Sequence, residues 1–298
     1  MKIVILAGGD GPEREISLMS GKSVFNALKE KYNISILDPA KKNFIKEFIA
    51  EKPDFVFIAL HGGKGESGII QGFLETLGLP YSGSSVLPSA ICMNKIISKR
   101  LLLSYGIPTP DFIEINSLEP DIPFKYPVVV KPASLGSTIG ISIVESEKNL
   151  KKSIKSAWSV DKEVFIEKFI EGTEITFGII GNEKLQVLPA IEIRTKRKFY
   201  DYTAKYKKGQ SIHVIPPQLP VKVLKSARDI AAKTYKVLKC QGFSRMEMIV
   251  DKHGKAWILD VNTIPGLTNL SLFPDAAKHA GISFTQLCEK LIQLGFER

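Results

Sequence analysis

The stretch Arg245-Met-Glu-Met-Ile-Val-Asp-Lys-His-Gly-Lys-Ala-Trp-Ile-Leu-Asp-Val-Asn262 alternates apolar and polar residues on either side of His253-Gly254. Such alternation about a glycine-containing dipeptide reads as a β-hairpin with a two-residue turn. Counting outward from that turn pairs Glu247 with Asp260 and Arg245 with Asn262, all on one face. The other face sets Met246, Met248 and Val250 against Trp257, Leu259 and Val261 and reads as the core side. Two carboxylates directly opposite each other destabilise a sheet unless something positive lies between them. Mg²⁺ suits the place, because it takes a few carboxylate or amide oxygens and completes its octahedron with water and phosphate. The alternative is a solvent-facing hairpin whose repulsion is screened by salt. Arg245 beside the pair suits a ligand phosphate or a developing oxyanion, or serves only to neutralise the carboxylates.

Upstream, Lys131 ends the strand-like run Tyr126-Pro-Val-Val-Val-Lys131 and leads into Pro132-Ala-Ser-Leu-Gly-Ser-Thr-Ile-Gly140. Small residues let a backbone approach an anion, and its N–H groups with the Ser137 and Thr138 hydroxyls can cradle phosphate oxygens. The pattern is not a Walker loop, since the lysine precedes the glycines. Lys95, near an expected helix start, is a second phosphate candidate or a solvated surface lysine.

Further upstream, Lys2 to Leu6 and Phe55 to Leu60 are apolar, β-branched-rich runs. Between them Ile16, Met19, Val24, Ala27 and Leu28 recur at mixed three-, four- and five-residue steps, a helical pattern. The alternation predicts βαβ units and a parallel sheet. Gly8-Gly9-Asp10-Gly11-Pro12-Glu13 and His61-Gly62-Gly63 follow the two strands, where parallel sheets place their ligands. Glu13 also suits the first turn of any helix, and His61 any turn.

The chain thus divides into an amino-terminal α/β unit over 1–90, a central unit over 91–172 and a carboxy-terminal unit over 173–298. The central unit opens with a helix from about Asn94 to Tyr105. It pairs Pro127 to Lys131 with Ile139 to Val144 and adds a strand Glu163 to Phe169. The last unit contains a polar loop over about 196–218, holding Phe199, Tyr200, Tyr202 and Tyr206, then a helix Val221 to Leu238. Loops that long are usually lids, binding loops or disordered, and the aromatics favour contact-making.

At 298 residues, with 44% hydrophobic and 24% charged residues, the chain has the make-up of a globular protein of several small domains around a cleft. No run approaches the roughly 18 apolar residues of a membrane span. Cys92, Cys240 and Cys288 are odd in number and far apart, which fits neither a disulfide framework nor close zinc pairs, so a reducing cytoplasm is expected. The net charge of +10 suits an anionic partner. Its densest stretch, Arg194 to Lys198, lacks the stacking aromatics and motif spacings of nucleic-acid binders, so no nucleic acid is expected.

Taken together, Gly8-Gly9 through Pro12-Glu13-Arg14-Glu15-Ile16-Ser17, Ala59-Leu60-His61-Gly62, Met93-Asn94-Lys95, Val130-Lys131-Pro132 with Gly136-Ser137, and Ile166-Glu167-Lys168 form an ordered series. Tyr200-Asp201-Tyr202 with Ala204-Lys205-Tyr206, and Asn262-Thr263 with Pro265-Gly266-Leu267-Thr268, complete it. In order and spacing, over nearly the whole length, the chain resembles the D-alanine:D-alanine ligases, members of the ATP-grasp superfamily.

The resemblance implies a three-domain ATP-grasp architecture of mixed α/β and α+β class, with ATP clamped between the central and carboxy-terminal sheets and a lid near 196–218. It implies ATP-dependent dipeptide formation through an acyl phosphate, supplying peptidoglycan precursors for the cell wall and cell shape. Its partners are D-alanine and ATP, in a cytoplasmic homodimer with no membrane or nucleic-acid role. By the same resemblance, Lys95 and Lys131 hold phosphates, Glu167 meets the adenine amino group, Phe169 and Ile170 line its pocket, and Glu174 binds ribose. Glu247, Asp260 and Asn262 hold Mg²⁺, two ions with Mn²⁺ as a substitute. Glu13 fixes the first substrate's ammonium, grouped with Ser137 and Tyr206, and His61 lies beside that substrate. Lys205 belongs to the same catalytic set, Arg245 and the Gly266 amide face the tetrahedral centre, and Ser271 with Leu272 receives the second carboxylate.

The family pattern carries Asp where this chain has Glu247, and Glu where it has Asp260. Each acid has changed by one methylene in opposite directions, which keeps the span across the hairpin. Two rivals remain: an ATP-grasp ligase acting on other acids and amines, which would not need Glu13, Tyr206 or Ser271, and a non-catalytic ATP-binding module.

Overall fold

The computed structural model describes residues 1–195 and 211–298. Three sheets organise them. The first is parallel: β1 (Lys2–Leu6) lies between β2 (Asn33–Leu37) and β3 (Phe55–Ile58). Helix α1 (Arg14–Leu28) follows β1, and α2 (Phe44–Glu51) joins β2 to β3. The sequence reading passed over β2 and α2; Asn33-Ile-Ser-Ile-Leu37 is a five-residue edge strand with no fully buried residue. The uneven spacing along α1 also has a cause. Its buried stripe includes Ser17, Ser20 and Gly21, whereas Met19 is 52% exposed. A Cβ on Gly21 would sit 2.4 Å from the Ala7 Cβ, so small residues let the helix lie close on β1.

Helices α3 (Gly63–Glu66), α4 (Ile69–Thr76) and α5 (Val86–Met93) lead to α6 (Lys95–Ser104). The Asn94 side chain caps α6 by accepting from the Ile97 N–H at 3.1 Å, satisfying a donor the helix leaves unpaired. The second sheet is antiparallel, in the order β4 (Phe112–Ile115), β7 (Val164–Lys168), β5 (Val128–Pro132), β6 (Ser142–Val144), with α7 (Glu147–Trp158) packed on it. Leu150, Ile154 and Ala157 of α7 close its core.

The third sheet runs β11 (Ser211–Val214), β10 (Ile191–Thr195), β8 (Gly172–Ile180), β12 (Phe243–Asp251), β13 (Ala256–Asn262), with β9 (Gln186–Val187) paired to β8. Strand β11 corrects the expectation of an unbroken loop over 196–218: Ser211–Val214 pairs antiparallel with Glu192 to Thr195. Tyr206 and Lys205 lie outside the described residues. Helix α8 (Val221–Val237) covers this sheet through Ala227, Ala231 and Tyr235. Helices α9 (Leu272–His279) and α10 (Phe284–Phe296) return to the first sheet, where Leu287, Leu291 and Ile292 join the core of Ile3, Ile5 and Phe55.

The β12–β13 hairpin departs from expectation in two ways that cancel. Its connection is the three residues Lys252 to Gly254, closed by Asp251 N–H on Lys255 O at 3.0 Å, with Gly254 at φ +79°. That shifts the pairing by one residue, so Met248 meets Ile258 and Ile249 meets Trp257. A bulge at Leu259 then restores Glu247 opposite Asp260 and Arg245 opposite Asn262. The core partners near the turn are therefore Ala256 and Ile258, not Trp257 and Leu259. Trp257 donates its indole N–H to Asp251 and carries the Lys255 ammonium over its ring at 3.7 Å.

Candidate active site

One cleft, bounded by all three sheets, is lined by every described residue singled out in the sequence: Glu13, His61, Lys95, Lys131, Ser137, Glu167, Phe169, Ile170, Glu174, Arg245, Glu247, Asp260, Asn262, Gly266, Ser271 and Leu272. The loop after β1 is fixed by Arg14, which donates to Gly9 O and to Asp38, each at 2.6 Å. This anchorage directs Glu13 inward, where Ser137 of the Gly/Ser loop donates to its carboxylate. The slot around Glu13 is walled by glycines. A Cβ on Gly62 would lie 2.4 Å from Glu13 Oε2, and one on Gly136 2.9 Å from it. Ser137 and Thr138 hold φ of +52° and +64°, unusual for non-glycine residues and typical of strained functional loops.

The cations converge from different elements. Lys95, held by its N–H on Ala133 O at 2.9 Å, donates its ammonium to Leu135 O at 2.9 Å and stands 3.3 Å from Asp260. On β5, Lys131 pairs with Glu167 of β7. Lys99, one helical turn past Lys95, lies 3.0 Å from the other oxygen of Glu167. Burial pushes the Glu167 carboxyl towards neutrality, but Lys131 and Lys99 outweigh it and hold the group below its ordinary pKa. The Lys99 contact is ionic, and among the described residues Glu167 Oε2 has no hydrogen-bond donor in good geometry. A buried carboxylate oxygen with acceptor capacity left over suits an amino group on a ligand.

Arg245 donates to Glu247 at 2.6 Å and to Thr176 Oγ1 at 3.3 Å. Asp260 and Asn262 each accept a backbone N–H at 2.9 Å, from Val261 and Ile264, which orients both side chains. Two carboxylates and an amide oxygen on adjoining strands suit a hard cation that takes its remaining ligands from phosphate and water. Among the described residues no three His, Cys, Asp or Glu side chains form a self-sufficient metal cage, which such a cation does not need.

Sequence reasoning passed over Lys99, Thr176, Ser20 and Glu66. Only Lys99 carried a signal, its four-residue step from Lys95 on one helix face. Glu66 is buried 3.7 Å from His61 Nδ1, and its carboxyl is raised above the ordinary value chiefly by burial.

Two antiparallel sheets close on a lysine-rich cleft beside an amino-terminal parallel sheet, an architecture shared with ATP-dependent carboxylate-amine ligases of the ATP-grasp class, as the following relatives show. The families described as D-ala D-ala ligase C-terminus and D-ala D-ala ligase N-terminus match residues 101–293 and 39–84. The D-alanine--D-alanine ligase of Carboxydothermus hydrogenoformans is 46% identical over 100% of this chain and 99% of its own length. That of Pelotomaculum thermopropionicum is 43% identical over 100% and 97%. Among solved structures, the D-alanine--D-alanine ligase of Bacillus anthracis complexed with ATP superposes with a TM-score of 0.86 at 36% identity, covering 100% of this chain and 98% of that one. The VanG D-Ala:D-Ser ligase of Enterococcus faecalis gives 0.83 at 30% identity, covering 99% of each. The chain belongs to the D-alanine–D-alanine ligase family.

Proposed function

We propose that the chain joins two D-alanine molecules into D-alanyl-D-alanine at the expense of ATP, for peptidoglycan precursor synthesis. The observation that carries this reading is the convergence of a glycine-walled carboxylate, the cations Lys95, Lys131 and Arg245, and a two-carboxylate hairpin face on one cleft. The first substrate's carboxylate oxygen takes the γ-phosphoryl group, releasing ADP. The second substrate's amine nitrogen then attacks the acyl carbon, phosphate leaves, and the amine gives up a proton. Lys95, Lys131 and Arg245 meet phosphate charge, while Glu167 accepts from the adenine amino group, Phe169 and Ile170 flank the base, and Glu174 accepts from ribose. Glu13, backed by Ser137, accepts from the first ammonium. The Gly266 amide donates to the developing oxyanion, and Ser271 with Leu272 receives the second carboxylate. Holding both substrates in line makes each step effectively intramolecular.

Glu247, Asp260 and Asn262 would hold Mg²⁺, which when bound neutralises phosphate oxygens. The divisions 1–90, 91–172 and 173–298, a lid carrying Lys205 and Tyr206, a homodimer and a cytoplasmic site are parts of the same proposal. No described helix is long and apolar enough to cross a membrane. A coupled ADP assay over D- and L-amino acids, D-serine and D-lactate tests it. Turnover that requires D-alanine, ATP and Mg²⁺ together is expected, and ATP binding with no D-alanine-dependent turnover would overturn it.

A further inference from the structure

Helix α1 carries Ser17 and Ser20 on its buried face, both fully buried. Ser17 acts within the first sheet: its Oγ accepts from Gly8 N–H and donates to Ala59 O, each at 2.8 Å. Ser20 reaches further. Its Oγ accepts from Leu267 N–H at 3.2 Å and lies 2.9 Å from His61 Nε2. The other ring nitrogen of His61, Nδ1, lies 3.1 Å from Ile264 O.

In the neutral ring the Ile264 carbonyl, nearer to Nδ1 than Glu66 Oε1 at 3.7 Å, sets the directions of these bonds. A carbonyl only accepts, so His61 Nδ1 carries the proton and Nε2 is the acceptor. The Ser20 hydroxyl has a single proton and gives it to Nε2, while its oxygen takes the Leu267 amide. A histidine side chain in water favours the opposite tautomer, Nε2–H, so the partners select this one. The resulting chain grips both ends of the segment Ile264 to Leu267, with Gly266 between them. On its other side the segment is confined by Ser271: a Cβ on Gly266 would lie 2.7 Å from Ser271 Oγ. His61, with both nitrogens engaged inside the protein, acts here as a strut.

We infer that Ser20 is a positioning residue: through His61 and Leu267 it sets the orientation of the Gly266 amide towards the reacting carbonyl. The part concerning Gly266 rests on the ligase reading, whereas the hydrogen-bond chain does not. A displacement of the order of an ångström in such a group costs a large factor in rate.

The test has two arms. Long-range ¹H–¹⁵N correlation spectra resolve the tautomers of the four histidines. His61 is expected as the Nδ1–H form in the wild type, and as a mixture with the Nε2–H form in Ser20→Ala. A wild-type Nε2–H ring, or no change in Ser20→Ala, would overturn the chain whatever the protein's activity. In the kinetic arm, Ser20→Ala is expected to lower kcat about tenfold and to raise the ADP formed per dipeptide, with KM for ATP kept within about twofold. Ser20→Thr, which retains the hydroxyl, is expected to recover most of that kcat. Wild-type kcat and ADP-to-dipeptide ratio in Ser20→Ala would overturn the positioning role. A wild type that forms no dipeptide would instead remove the ligase reading, with the spectra still deciding the chain.

Discussion

Glu247 on β12 and Asp260 on β13 face each other across the hairpin, and they do so because the strand bulges at Leu259. Each has its own cation, Arg245 at 2.6 Å from Glu247 and Lys95 at 3.3 Å from Asp260. The like-charge pair is therefore compensated from both flanks, and on the proposed reading it also holds a divalent ion. Glu247→Gln and Asp260→Asn keep shape while removing charge. They are expected to lower turnover on the order of a hundredfold or more, with a melting shift of only a few degrees. Mg²⁺ titrations run beside thermal melts check this. Unchanged turnover with a raised melting temperature would mark a merely repulsive surface pair.

That bulge shows how far the sequence could be read. Period-two alternation placed the hairpin, and its outer pairs came out right although the turn was assigned one residue short. The bulge offset the difference. A bulge has no local composition signal, because Leu259 is apolar on either reading and only its tilt into the cleft differs. Residues defined by motif, such as Lys95, Lys131 and Glu13, were legible as sequence. Of their supports, Ser20 and Thr176 were not, because each acts on a partner far along the chain, and Lys99 showed only its four-residue step from Lys95. Buried serines on α1 look like poor core residues until Gly8, Ala59 and Leu267 are brought against them.

The glycines around Glu13 make a sharp steric test. Gly62 holds φ +65°, and a methyl there would also meet Glu13 Oε2. Gly62→Ala is expected to displace the carboxylate and raise KM for the first substrate about tenfold or more, with ATP affinity little changed. Initial rates over D-alanine concentration, with ATP binding measured separately, check the selectivity of the defect. Equal losses for both substrates would point to a general collapse of the loop.

Glu66 gives a pH signature. Burial raises its carboxyl above the ordinary 4.5; the nearby His61 ring opposes the shift and the Glu13 charge adds to it. The folded state then holds this proton more tightly than the unfolded chain does. The contribution to stability is full below pH 4.5 and is lost as pH rises through the folded value. Glu66→Gln never ionises, so its stability relative to wild type is expected to grow as pH rises from 4.5 through the folded value of Glu66. Urea unfolding of both proteins across that range decides the matter. A constant difference would mean that Glu66 titrates normally.

Lys99 supplies the most exacting test of the nucleotide end. It is 2% exposed, pushed below the ordinary lysine value chiefly by burial, and it touches Glu167 at 3.0 Å and Thr109 Oγ1 at 2.5 Å. Thr109 in turn donates to Ile258 O, so the ammonium also links α6 to β13. Two cations share one carboxylate here, which leaves neither fully neutralised. In Lys99→Met, Glu167 has only Lys131, and that lysine is drawn towards the carboxylate and away from a bound phosphate. Stability is expected to fall by about 1 to 3 kcal/mol, less than for a buried pair losing its sole partner. On the proposed reading, KM for ATP rises several-fold while KM for D-alanine stays near wild type. Glu167→Gln alone leaves both lysines without their anion, whereas the Lys99→Met and Glu167→Gln double variant leaves only Lys131 so, and its stability loss is expected to be smaller than the sum of the two single losses, with none of the ATP affinity regained. Strictly additive stability losses, or an unaltered KM for ATP in Lys99→Met, would show that Lys99 is a packing residue and that Lys131 alone sets the state of Glu167.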